Sequence, residues 1–140
     1  MQFEVLAGGD LSPVVEALCS TLHAGDVVYL HGEIGAGKTT LIQACCRSLG
    51  ITEPVTSPTF PLAHLYDGAP PVVHLDLYRL NGADRESVDD VVDNVACDVI
   101  AFIEWPEHGA AWLPPSTWAV AIVVDPMGTR QFTVTDSKPT

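Results

Sequence analysis

Positive charge is scarce in this chain of 140 residues: six Lys and Arg stand against 18 Asp and Glu, a formal net charge of −12 at pH 7. A broad grip on a nucleic-acid backbone needs clustered cations, so that class of binder is disfavoured, and any role near RNA would have to run through a protein partner. Long apolar runs are missing as well. None approaches the roughly 18 residues of a membrane span, and the stretch from Met1 to Leu11 has neither the basic start nor the apolar length of a secretion signal. The four cysteines, Cys19, Cys45, Cys46 and Cys97, stand singly or adjacent, without the paired spacing of a zinc site or the density of a disulfide framework. A cytoplasmic protein with reduced thiols is expected. Internal repeats, low-complexity tracts and linkers are lacking too.

What is present suits a single domain spanning residues 1–140, because 47% of the residues are hydrophobic and a chain of this length fills one core. Residues 3–6 read as a short strand. Ser12-Pro13 predicts a helix start, the hydroxyl capping and the proline fixing the first turn, and Val14, Val15, Leu18, Cys19 and Leu22 recur at helical spacing up to Gly25. Val27-Val28-Tyr29-Leu30 is apolar on successive residues, as a strand covered on both faces is. A helix over 39–49 closes at Gly50. Pro54, Pro58 and Pro61 predict a loop over 55–61 that leads into a strand ending near Tyr66, and Asp67-Gly68 with Pro70-Pro71 is a turn. Strands follow over 72–77 and 99–104, with an acidic helix over 84–95 between them. Residues 118–124 and 131–134 pair across the Asp125-Pro126-Met127-Gly128 turn. This order predicts an α/β fold of three layers, with a mostly parallel sheet and antiparallel edge strands.

The sharpest motif is Gly32-Glu33-Ile34-Gly35-Ala36-Gly37-Lys38-Thr39, which fits the phosphate-binding pattern G-x-x-x-x-G-K-[ST] at every position. The pattern belongs between a buried strand and a helix, because its backbone N–H groups wrap phosphate oxygens while the helix start supplies about half a positive charge. Gly32, Gly35 and Gly37 allow backbone angles and close approaches that a Cβ obstructs. Lys38 is placed to neutralise the β- and γ-phosphates and the Thr39 hydroxyl to bind Mg2+; Glu33, Ile34, Ala36 and Thr40 complete the expected nucleotide contacts.

Phosphoryl transfer also needs a carboxylate on the metal side and a group that places the attacking water. Asp76 and Glu104 each lie at the end of an apolar strand, on the carboxyl edge where open α/β sheets bind ligands, although either could simply begin a solvated loop. Ser57-Pro58-Thr59-Phe60 is a constrained loop whose Thr59 a γ-phosphate and Mg2+ could order; taken alone it is a plain turn. His74 alternates with Asp76 along its strand and reads as a hydrogen-bonded structural residue. Arg79 and Arg130 stand out because cations are few, with surface ion pairs as their simplest role. Trp105 fits a shield over the site, a partner contact or core packing, and the acidic run over 84–98 fits a solvated helix face.

Four blocks occur in order: Gly-Glu-Ile-Gly-Ala-Gly-Lys-Thr-Thr from Gly32, Ser57-Pro58-Thr59-Phe60, His74-Leu75-Asp76-Leu77-Tyr78-Arg79-Leu80, and Glu104-Trp105-Pro106-Glu107. Together they resemble the bacterial TsaE family, the small P-loop ATPases of the system that makes threonylcarbamoyladenosine in tRNA. The resemblance runs from the first helix to the final strand pair. It implies a single P-loop ATPase domain, ATP and Mg2+ bound by Lys38 and Thr39, Glu104 as the metal-side acid, Asp76 in support of hydrolysis, and Arg130 near the nucleotide. It also implies two partners, TsaB and TsaD, of which TsaD performs the transfer to tRNA while the ATPase resets the complex between rounds. Few basic residues are available as a finger on the transition-state charge, an element worth about 10³ to 10⁵ in rate, so slow turnover alone and faster turnover in the complex are expected.

Rival classes remain. A small-molecule kinase needs an acceptor pocket and usually an arginine-bearing lid, and outside the helix after the loop the chain offers only Arg79, Arg85 and Arg130. For a GTPase, Asp125-Pro126-Met127-Gly128 fits D-x-x-G, but it follows Asn81-Gly82-Ala83-Asp84, which lacks the lysine of the guanine-reading N-K-x-D. A nucleotide-dependent scaffold without useful hydrolysis is the third.

Overall fold

The computed structural model describes residues 1–55, 63–78, 98–110 and 113–137. Its strands are β1 (Gln2–Val5), β2 (Val27–His31), β3 (Ala63–Tyr66), β4 (Val72–Asp76), β5 (Ile100–Glu104), β6 (Trp118–Val124) and β7 (Arg130–Asp136). Two helices, α1 (Ser12–Cys19) and α2 (Lys38–Ser48), and a single 3₁₀ turn at Pro106–His108 complete the described elements. The strands form one seven-stranded sheet in the order β1-β7-β6-β2-β5-β4-β3. As its unbroken apolar run requires, β2 lies in the interior of the sheet, parallel to β5 on one side and β6 on the other.

The α/β class holds, but the expected preponderance of parallel pairing does not. Among the described residues three pairings are parallel (β2 with β5 and with β6, β4 with β5) and three antiparallel (β1 with β7, β3 with β4, β6 with β7). The reason lies in the connections. A parallel pair needs a crossover of a dozen or more residues, whereas a tight turn can only reverse the chain. Between β6 and β7 the Asp125 carboxylate accepts the N–H groups of Met127 and Thr129 at 2.9 and 3.0 Å, closing such a turn.

Alternation along the strands separates two apolar layers. Val72 of β4 and Ile100 and Phe102 of β5 pack with Val14 and Leu18 of α1 and Leu41, Ile42 and Cys45 of α2. The intervening residues Val73, Leu75, Ala101 and Ile103 form a separate cluster with Leu77 and Val27. Both described helices therefore cover one face. The helix expected over 84–95, which would supply the third layer, lies outside the described residues, as does most of the expected loop over 55–61. Among the described residues no helix is long and apolar enough to cross a membrane.

Two local expectations are corrected. Ser12 does not cap α1: Leu11 holds the cap position with no side-chain cap bond, and Asp10 Oδ1 instead accepts the Ser12 N–H and hydroxyl at 2.9 and 2.7 Å. The helix also stops at Cys19 instead of running to Gly25. The hydroxyls of Ser20 and Thr21 turn back onto the carbonyls of Ala17 and Leu18, offering the backbone an alternative to another helical turn. Four parallel strands, β4, β5, β2 and β6, thus end on one edge, and the side chains of the candidate site gather there.

Candidate functional site

The connection from β2 to α2 is the glycine-rich loop, and two of its glycines serve different needs. Gly37 has φ +104° and occupies the N-terminal cap of α2 without a side-chain cap bond. Gly32 is required by proximity: a Cβ there would come within 3.0 Å of Ile122 O on β6. A Cβ on Gly37 would also meet the Arg130 guanidinium at 3.3 Å, which places that arginine against the loop. Replacing Gly37 by alanine adds left-handed backbone strain of about 1–2 kcal/mol and pushes Arg130 away. Chemical denaturation should show a loss of that size, and an unchanged midpoint would contradict the geometry.

Lys38, the first residue of α2, is buried at 5% exposure. Its Nζ donates to the carbonyls of Gly32 at 2.5 Å and Glu33 at 3.0 Å, and lies 4.3 Å from the centre of the Trp105 ring. Burial pushes the lysine's pKa down, against the opposing pull of the Glu104, Asp76, Glu107 and Glu33 carboxylates. The ammonium group therefore folds back on its own loop, amid acids, in a place where a phosphate could relieve it of both carbonyls. Trp105 reaches it by an unusual route. It has φ +57° and ψ +50° directly before Pro106, a left-handed conformation that costs a bulky residue on the order of 1–3 kcal/mol and brings the chain sharply off β5.

Glu104 ends β5 at 3% exposure, and among the described residues its carboxylate has two partners. The Thr39 hydroxyl, on the first turn of α2, lies 3.1 Å from Oε1 and 3.0 Å from Oε2, and His74 Nε2 lies 2.6 Å from Oε2. Asp76 stands in register with Glu104 on the neighbouring strand, and its Oδ1 accepts the Tyr78 N–H at 3.1 Å. The Tyr78 ring packs against Trp105 with centroids 5.0 Å apart.

These groups line a cleft of about 330 Å³. It gathers Ile34, Gly35, Gly37, Lys38, Thr39, Thr40, Asp76, Glu104 and Arg130 of the expected site, together with Tyr78 and Trp105. Gly32, Glu33 and Ala36 border an adjoining cavity of about 600 Å³ that shares Ile34, Gly35 and Trp105. Thr59 lies outside the described residues. Reading the sequence missed the attachment of His74 to Glu104; its period-two spacing from Asp76 was the available signal. Trp105 both packs on the second apolar cluster and covers Lys38, which joins the core-packing and site-shielding roles its sequence left open.

The donor set suits a hard divalent cation. One carboxylate and one hydroxyl converge beside the glycine-rich loop, and Mg2+ is ordinarily held by one or two protein oxygens together with phosphate and water. Fold and site define an α/β protein with a glycine-rich turn at the carboxyl edge of its parallel strands. The chain belongs to the TsaE family: the family model "Threonylcarbamoyl adenosine biosynthesis protein TsaE" matches residues 9–132. Among curated relatives, each named tRNA threonylcarbamoyladenosine biosynthesis protein TsaE, it is 46% identical over 94 residues to that of Streptomyces coelicolor, covering 64% of this chain and 63% of the relative. It is 41% identical to that of Nostoc sp. (84% of this chain, 75% of the relative). It is 37% identical to that of Treponema pallidum (81% and 84%). The chain thus spans less than two thirds of the Streptomyces relative's length. Among solved structures, Bacillus subtilis YdiB superposes with a TM-score of 0.77 at 26% identity, over 99% of this chain and 86% of that one.

Proposed function

We propose that this chain is a P-loop ATPase that hydrolyses ATP with Mg2+ in the cytoplasm. In this reading it serves threonylcarbamoyladenosine formation in tRNA by acting on a TsaB–TsaD complex and not on tRNA itself. The observation that carries the reading is the convergence of Lys38, Thr39, Glu104 and Asp76 on one cleft at the mouth of the glycine-rich loop. The net charge of −12 agrees with leaving tRNA to a partner.

The chain's own groups divide the work. Backbone N–H groups from Gly35 to Thr39 cradle phosphate oxygens. Lys38 exchanges the Gly32 and Glu33 carbonyls for the β- and γ-phosphates. Thr39 and Glu104 hold the metal side, where Mg2+ would offset charge on the transferring phosphoryl group. Asp76 orients the attacking water; Arg130 and Thr59 contact the nucleotide. Phosphate release from ATP, measured with and without Mg2+ and with and without TsaB and TsaD, should be slow alone and rise at least about tenfold in the complex, since a partner can supply a missing cation to the transition state. Equal rates with and without partners would contradict this. Phosphate found on an added metabolite would point to a kinase, and binding without turnover to a scaffold.

A further inference from the structure

His74 is fully buried, and its two ring nitrogens are treated differently. Nε2 sits 2.6 Å from Glu104 Oε2, while Nδ1 is buried with no hydrogen-bond partner among the described residues. A histidine kept only to fill a core normally satisfies both nitrogens, because a buried polar atom left unpaired costs free energy. This one spends its single bond on the acid of the candidate site. The strand register explains how: His74 pairs with Phe102, so Glu104 two residues on is its diagonal neighbour on the same face of the sheet.

Hydrogen-bond accounting fixes the tautomer. The Thr39 hydroxyl donates to the Glu104 carboxylate, which in its ionised form has only acceptors to offer, so in that form His74 Nε2 carries the proton that points at Oε2. Nδ1 is then bare. A proton there would be a buried donor with no acceptor, and orphaned N–H groups are rarer in proteins than under-satisfied acceptors. With Oε2 tied to His74, Oε1 is the carboxylate oxygen left to face a cation beside Thr39.

We propose that His74 is the positioning residue of the metal-side carboxylate: its Nε2–H holds Glu104 Oε2, so that Oε1 and the Thr39 hydroxyl present a preset pair of oxygens to Mg2+. This rests on the Mg2+-nucleotide reading above. Partners behind a metal ligand typically change metal affinity about 10- to 100-fold when removed. His74 does not touch substrate, and it acts through Glu104 alone.

The test uses the full chain and a fluorescent ADP analogue, titrated with Mg2+ and, separately, in EDTA. For His74→Leu the half-saturating Mg2+ concentration should rise about 10- to 100-fold while affinity in EDTA stays within about threefold. For His74→Gln, whose amide N–H reaches a similar place, the Mg2+ requirement should return most of the way. An unchanged Mg2+ requirement in a folded His74→Leu, or equal weakening with and without Mg2+, would overturn the proposal. In case the leucine variant does not fold, ¹⁵N-histidine NMR of the wild type without nucleotide decides on its own: a proton on Nε2 and a bare Nδ1 are expected, and the opposite tautomer refutes the assignment. Wild-type protein that binds no nucleotide with or without Mg2+ would overturn the ATPase reading itself, whereas Mg2+-dependent binding with the opposite tautomer would overturn the role of His74 alone.

Discussion

Lys38→Ala should weaken ATP binding by at least about 10²-fold and abolish hydrolysis, with the circular dichroism spectrum unchanged. The size follows from what the side chain would contact. Two charge-assisted bonds to phosphate, each worth about 1.5–3 kcal/mol, sum to about 3–6 kcal/mol, or roughly 10² to 10⁴ in affinity. The fold should survive because, among the described residues, the Lys38 ammonium group hydrogen-bonds to the Gly32 and Glu33 carbonyls of its own loop, while the helix that begins with it is anchored by Leu41, Ile42, Cys45 and Cys46 in the core. A fluorescent ATP analogue measures the loss directly. Affinity within about threefold of wild type, for a variant of intact fold, would sink the assignment of the loop.

Glu104→Gln is the second large expected effect, and glutamine is a cleaner test than alanine. Alanine would strip both Thr39 and His74 of their partner and hollow out a buried site, so lost activity would mix with lost stability. Glutamine keeps the shape and removes the charge that the metal requires. Mg2+-dependent turnover should fall by about 10²-fold or more, the several kcal/mol expected when a metal loses its charge-stabilising placement. Nucleotide affinity in EDTA should change little. Turnover close to wild type would remove Glu104 from the metal side and leave it a structural acid.

The parts of the site legible in the sequence are those whose residues answer to local backbone needs. The glycine-rich loop could be read because its motif lies within eight consecutive residues, with Gly37 at the left-handed cap position of α2, and because the strand before it and the helix after it are written in plain hydrophobic pattern. Asp76 and Glu104 were readable as strand ends. Their pairing was not, since it depends on β4 and β5 lying side by side in a given register. For the same reason His74 looked like an isolated strand residue: its partner is 30 positions away. Trp105 was ambiguous because nothing in its type or in the following proline announces a left-handed backbone, which both features disfavour. The even split of parallel and antiparallel pairing escaped because the pattern of apolar residues reports burial and leaves strand direction to the length of each connection.

The most direct measurement is a crystal structure with a non-hydrolysable ATP analogue and Mg2+. Phosphate oxygens should lie against the amides from Gly35 to Thr39, Lys38 Nζ should have left the Gly32 and Glu33 carbonyls for the β- and γ-phosphates, and the cation should sit between Thr39 and Glu104. A ligand bound elsewhere, with Lys38 still on its own loop and no metal beside Thr39, would contradict the account at its root.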